Sequence, residues 1–120
     1  MLPQRVLIVE DEYLVAMDVE TSLQSMGVET IDIATTLLQA KESLLREKPD
    51  CVLLDVSLSD GTSYELARHL REYSIPFGFV SGYSDTLEFP DDLRDVALLV
   101  KPFDERAMLQ FLAKVFPPEA

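Results

Sequence analysis

The chain reads as an α/β protein in which a parallel sheet is packed between helices. Three observations predict this. Short apolar runs recur at 6–9, 51–54, 77–80 and 97–100, the pattern of strands buried on both faces. Between them, apolar residues recur at helical spacing. The two periodicities alternate without a linker or internal repeat, which predicts βα units rather than segregated strands and helices.

The first strand covers 5–9. From Glu12 to Met26, Val15, Val19, Leu23 and Met26 form a helical stripe, and Gly27 can end that helix. A second, more polar strand covers 28–34. Thr35 or Thr36 can cap a helix carrying Leu37, Ala40, Leu44 and Leu45, which Pro49 stops. The third strand, 51–55, leads to the turn signal Ser59-Asp60-Gly61. A helix with Tyr64, Leu66, Ala67 and Leu70 then runs to Ser74-Ile75-Pro76. The fourth strand covers 77–81 and the fifth 96–100. The last helix starts after Asp104 as cap, with Ala107, Met108, Phe111, Leu112 and Val115 facing inward, and Pro117-Pro118 ends it. Between the last two strands, 82–95 should hold another helix. Pro90 would sit in its interior at a cost of about 3 kcal/mol, and five acids there face one Arg. That helix is expected to be short, irregular or mobile.

At 120 residues, 48% of them hydrophobic, the chain forms one domain, 1–120, with enough apolar material for a core. Twenty-two acids against ten Lys and Arg give a net charge of −12. No basic cluster stands out, so the footprint needed to displace phosphate counterions is missing and nucleic acid is not an expected partner. The single Cys51 lies in an apolar run and suits a buried thiol in a reducing compartment. No secretory leader pattern or membrane-length apolar run is present, which predicts a cytoplasmic protein without a membrane partner.

Function is suggested by how the strands end. Glu10-Asp11 follows the first, Asp55 the third, Ser81 the fourth and Lys101-Pro102 the fifth. In an open parallel sheet, ligands bind beyond the carboxyl ends of the strands. Three acids, a hydroxyl and a lysine would then meet at one rim, a site for a divalent cation and a phosphoryl group. Alone, Glu10-Asp11-Glu12 reads better as acids at a helix N-terminus; Asp55 and Lys101 tip the balance to chemistry. The stretch Asp55 to Gly61 is a poor calcium loop, because Leu66 stands where the closing Glu belongs. His69 lies off the apolar stripe of its helix and reads as solvated.

The marks Leu7-Ile8-Val9-Glu10-Asp11-Glu12, Leu53-Leu54-Asp55, Ser81-Gly82 and Val100-Lys101-Pro102-Phe103, in this order, resemble the receiver domain of two-component response regulators. The resemblance covers the whole chain. It implies a flavodoxin-like sheet of strand order 2-1-3-4-5. It makes Asp55 the acceptor of a phosphoryl group from a phosphohistidine on a sensor histidine kinase or a histidine phosphotransfer protein. Mg²⁺ would be held directly by Asp11 and Asp55, through water by Glu10, and by the backbone carbonyl of Ser57. Lys101 would pair with Asp55 and then with the phosphoryl oxygens, and Ser81 would turn its hydroxyl toward the new group. A cis Lys101–Pro102 bond is also implied.

A narrower stretch, Pro76-Phe77-Gly78-Phe79-Val80-Ser81-Gly82-Tyr83, is similar to the signature of the FAT GUY subfamily, mostly stand-alone receivers linked to HWE-type kinases. Tyr83 would there shield the acyl phosphate from water. Two positions depart from the family. Leu98 stands where an aromatic switch residue is usual, and Ser59 where Pro is usual. Ordering of 82–95 would then carry the signal instead. The implied protein is no turnover enzyme but a single-domain regulator, monomer or weak dimer. It would act by protein contact or as a phosphate sink or relay. Leu87, Phe89, Met108 and Phe111 are candidate contact residues where exposed, although Met108 and Phe111 read as core. The alternatives are a phosphorylation-independent interaction module and a receiver cut from a longer protein. In the latter, 117–120 would begin a linker. A hydrolase would need a second acid where Ser57 stands.

Overall fold

The computed structural model describes residues 2–82 and 89–117. Its strands are β1 (Arg5–Val9), β2 (Thr30–Ala34), β3 (Cys51–Leu54), β4 (Ser57–Leu58), β5 (Gly61–Thr62), β6 (Phe77–Ser81) and β7 (Leu98–Val100). Its helices are α1 (Tyr13–Met26), α2 (Leu37–Arg46), α3 (Tyr64–Glu72) and α4 (Glu105–Val115). Five strands pair in parallel in the order β2-β1-β3-β6-β7. With the two-residue strands β4 and β5 set aside, this is the expected order and the flavodoxin-like fold.

Alternation along the strands divides the core between two faces. Val6, Ile8, Cys51, Leu53 and Val80 pack with Val19 and Leu23 of α1 and with Met108, Phe111, Leu112 and Val115 of α4. Leu7, Val9, Val52, Leu54 and Phe79 pack with Ala40 of α2 and with Leu66, Ala67 and Leu70 of α3. A sheet covered on both sides explains why its central strands are apolar at every position. Cys51 is fully buried, and burial pushes its thiol up to about 12.

The helix ends follow from local chemistry. Gly27 adopts the left-handed conformation (φ 104°), returning its N–H to the last turn of α1. Thr36 and Asp104 cap α2 and α4 by accepting from the N–H groups of Gln39 and Ala107. In β6, Gly78 makes room for α4: a Cβ there would lie 2.6 Å from both Phe111 Cζ and Val115 Cγ2.

Several expectations are corrected. The second strand starts at Thr30, because Val28 still serves α1, donating its N–H to the Leu23 carbonyl. The fifth strand is confined to Leu98–Val100. The turn after the third strand is a small antiparallel hairpin, Ser57 opposite Thr62 and Leu58 opposite Gly61. Phe89 is buried and so is no surface contact, while Met108 and Phe111 lie in the core as their helical stripe predicts. Leu87 and Tyr83 lie outside the described residues.

Of 82–95, the described part holds one 3₁₀ turn, Asp91–Leu93, led in by Pro90. Phe89 anchors it, its ring 5.2 Å from Phe79 and 6.1 Å from Tyr64. The acids beyond it are matched by arginines: Asp92 with Arg68 (2.9 Å), Asp95 with Arg71 (3.3 Å) and Asp91 with Arg94 (3.0 Å).

Candidate functional site

The strand ends converge because the backbone ladder continues one residue past them. Glu10 N–H donates to the Ala34 carbonyl (3.0 Å), Asp55 N–H to Val9 (2.8 Å) and Lys101 N–H to Ser81 (2.9 Å). Each polar residue is thus fixed by a neighbouring strand before its side chain does anything. Carboxylate oxygens of Glu10, Asp11 and Asp55 lie within 4.8 Å of one another. Glu10 and Asp55 are buried and Asp11 is exposed, so the cluster opens to solvent on the Asp11 side.

Lys101 reaches into this cluster. Its Nζ lies 2.7 Å from Glu10 Oε1 and 3.6 Å from Asp55 Oδ2. The expected Lys101–Asp55 pairing is present, and Glu10 is a second, nearer partner, so both acids share one cation. Ser81 closes β6 with its side chain buried beside Lys101 in the ladder. The Lys101–Pro102 peptide is cis. Ser57 opens the hairpin two residues past Asp55.

Burial dominates the electrostatics. It raises Glu10 from 4.5 to about 7, against the hydrogen bonds from Lys101 and the Glu12 N–H. Burial also raises Asp55, opposed by the charge of Lys101 and by hydrogen bonds with Glu10 and the Val56 N–H. For Lys101, burial alone would lower the pKa. The hydrogen bond to Glu10 and the charges of Asp55 and Glu10 outweigh it, so the ammonium is held. Two buried carboxyls thus compete for one cation and one proton. Such a cluster is short of positive charge. Its donors are all oxygen, a set that fits a hard divalent cation.

Two contributors escaped the sequence reading. The fully buried Ser63 donates its hydroxyl to the Asp55 carbonyl (2.6 Å), tying the start of α3 to the end of β3. Its one sequence signal is a Ser immediately before a helical stripe, which ordinarily means a cap to its own helix. Asp60 accepts from the N–H groups of Leu37 (3.0 Å) and Leu38 (3.3 Å), so the hairpin after Asp55 caps α2 across the fold.

The nearby Tyr64 ring stacks edge-on against Phe79. His69 is exposed, as expected of a solvated helix residue. Among the described residues, no helix is long and apolar enough to cross a membrane.

Comparison with known proteins agrees with this geometry. The sensory transduction protein LytT of Bacillus anthracis is 33% identical over 113 residues, covering 92% of this chain and 46% of that protein. The chain spans about half the length of the curated relatives it matches. The solution structure of SdrG from Sphingomonas melonis Fr1 superposes with a TM-score of 0.82 at 33% identity, over 93% of this chain and 95% of that one. The receiver domain of the PhyR response regulator from Erythrobacter litoralis gives 0.82 at 32% identity, over 100% and 98%. The family profile of the response regulator receiver domain matches residues 6–113. With the strand order and the rim of acids and lysine in place, the chain belongs to the response regulator receiver domain family.

Proposed function

We propose that the chain accepts a phosphoryl group on Asp55 from a phosphohistidine of a histidine kinase, HWE-type by resemblance, or of a phosphotransfer protein. The observation that carries this reading is the cluster itself. A buried carboxylate at a strand end lies 3.6 Å from a lysine ammonium, with two further acids within 4.8 Å. In the transfer an Asp55 carboxylate oxygen attacks phosphorus and the N–P bond breaks, the imidazole nitrogen keeping the bonding pair. Repulsion between a carboxylate and a phosphoryl group is what opposes such a step, and positioned positive charge is what lowers it. Lys101 supplies one such charge as a point cation. Asp11 and Asp55, with Glu10 and the Ser57 carbonyl, would hold Mg²⁺. The ion supplies further charge neutralisation at the phosphoryl oxygens. Ser81 supplies a hydroxyl for one of those oxygens.

The product would act by protein contact, or the chain would draw phosphate from its donor as a sink or relay. Leu98 favours a second reading, a phosphorylation-independent interaction module. It packs against the core where a mobile aromatic ring is usual in the family. Intact mass after incubation with acetyl phosphate and Mg²⁺, beside Asp55→Ala, separates the two. One Mg²⁺-dependent phosphoryl adduct absent from Asp55→Ala supports the acceptor. If neither acetyl phosphate nor phosphorylated kinase yields an adduct on the wild type, the interaction module stands.

A further inference from the structure

An apolar groove of about 530 Å³ runs between α2 and α3, away from the strand-end rim. Its walls are two matched stripes. Lys41, Leu44, Leu45 and Lys48 form one, and Leu66, His69, Leu70 and Tyr73 the other, with Ile75 alongside. Lys41, Leu44 and Leu45 share one face of α2, with Lys48 just past its extended C-cap Glu47, and Leu66, His69 and Leu70 share one face of α3, with Tyr73 at its C-cap. Leu45 is 87% exposed, more than any other large apolar side chain among the described residues, and Tyr73 is 66% exposed. Solvent therefore covers apolar surface that the chain's own core leaves unused.

The charged side chains that line this groove are opposite in sign to the net charge of the protein. The chain carries 22 acids against 10 Lys and Arg, yet no acid lines the groove, and its polar lining is Lys41, Lys48 and His69. Both lysines are exposed, and neither forms an ion pair with a described residue. Asp60, whose carboxylate accepts from the N–H groups of Leu37 and Leu38, also feels the charge of Lys41. Two parallel apolar stripes with cations at both ends of one wall complement a third helix, one with an apolar stripe and carboxylates flanking it.

We propose that the α2–α3 groove is the docking site for an amphipathic helix of a partner protein, with an apolar face at i, i+3, i+4, i+7 bordered by Asp or Glu. The proposal does not depend on phosphorylation of Asp55. Leu44, Leu45 and Tyr73 would take the apolar side chains, and Lys41 and Lys48 the carboxylates. An acidic protein repels an acidic partner over most of its surface, so local reversal of charge also sets where such a helix can land.

The test is a selection from a displayed library of short helical peptides. Each has Leu fixed at i, i+3, i+4 and i+7, and flanking positions free to be Asp, Glu, Lys, Arg or Ser. The bait is the wild-type protein, with Leu45→Asp for counter-selection. The expected peptides are acidic at the flanks and bind about tenfold more weakly to Lys41→Glu/Lys48→Glu. They should shift backbone amide resonances of α2 and α3 only. All substituted positions are exposed, so an unchanged thermal melt will show that both variants stay folded. The proposal is overturned if no peptide is enriched over counter-selection, if the flanks come out neutral or basic, or if the shifts fall on another face. It is also overturned if the groove amides shift with protein concentration alone, which would assign the face to a second copy.

Discussion

Glu10 is the residue at which this site should act most visibly on stability. Its carboxyl is buried and its pKa is raised from 4.5 to about 7. A folded pKa above the unfolded one means that the native state holds the proton more tightly. The resulting stability is fully present below about pH 4.5 and is lost as pH rises through about 7. Each unit of difference is worth about 1.4 kcal/mol, so the ionised carboxylate costs the metal-free fold about 3 kcal/mol at a pH of about 8.

Glu10→Gln keeps the shape and removes the ionisation. Lys101 Nζ and the Glu12 N–H donate to different carboxylate oxygens, and one of these becomes an amide NH2 that cannot accept, a loss of about 1 kcal/mol. The variant should therefore be about 2 kcal/mol more stable than wild type at a pH of about 8. That advantage should shrink by roughly 2 to 3 kcal/mol at a pH of about 5. Urea unfolding in EDTA, followed by far-ultraviolet circular dichroism at both pH values, measures each difference. The reasoning is refuted if the advantage of Glu10→Gln is the same at both pH values, since the loss of a hydrogen bond alone carries no such dependence.

Two other consequences can be checked with the same unfolding assay. Gly78→Ala forces a Cβ to within 2.6 Å of Phe111 and Val115 on α4, which should lower stability by about 1 to 3 kcal/mol. Combining it with Phe111→Leu should lose less than the two single changes added together, and strict additivity would rule out the clash with Phe111. Mg²⁺ at about ten times its dissociation constant should stabilise the wild type by about 1.4 kcal/mol. Asp11→Ala, which removes the exposed member of the acid cluster, should lower that response; equal melting shifts in both proteins would argue against cation binding at this rim.

The parts of this fold legible in the sequence are those that local chemistry determines. Strands covered on both faces must be apolar throughout, so 6–9, 51–54 and 77–80 announced themselves, and Gly27, Thr36 and Asp104 marked helix ends by conformation or capping. The rim was legible for a related reason: a polar residue directly after a buried strand can only sit at its mouth. What stayed hidden depends on partners distant in the chain. Asp91, Asp92 and Asp95 look like mutual repulsion in sequence, yet two of them are matched by arginines of α3, some 24 residues earlier. Asp60 reads as a turn residue, yet it caps a helix 23 residues before it. Lys101 reads as the partner of Asp55, yet Glu10, 91 residues away, is closer. The preference follows from burial: Glu10 is the more enclosed carboxylate and has more to gain from the one ammonium within reach. A rim that divides a single cation between two buried acids remains short of charge. That shortage, rather than any one residue, suits the cluster to receive a cation and then a phosphoryl group.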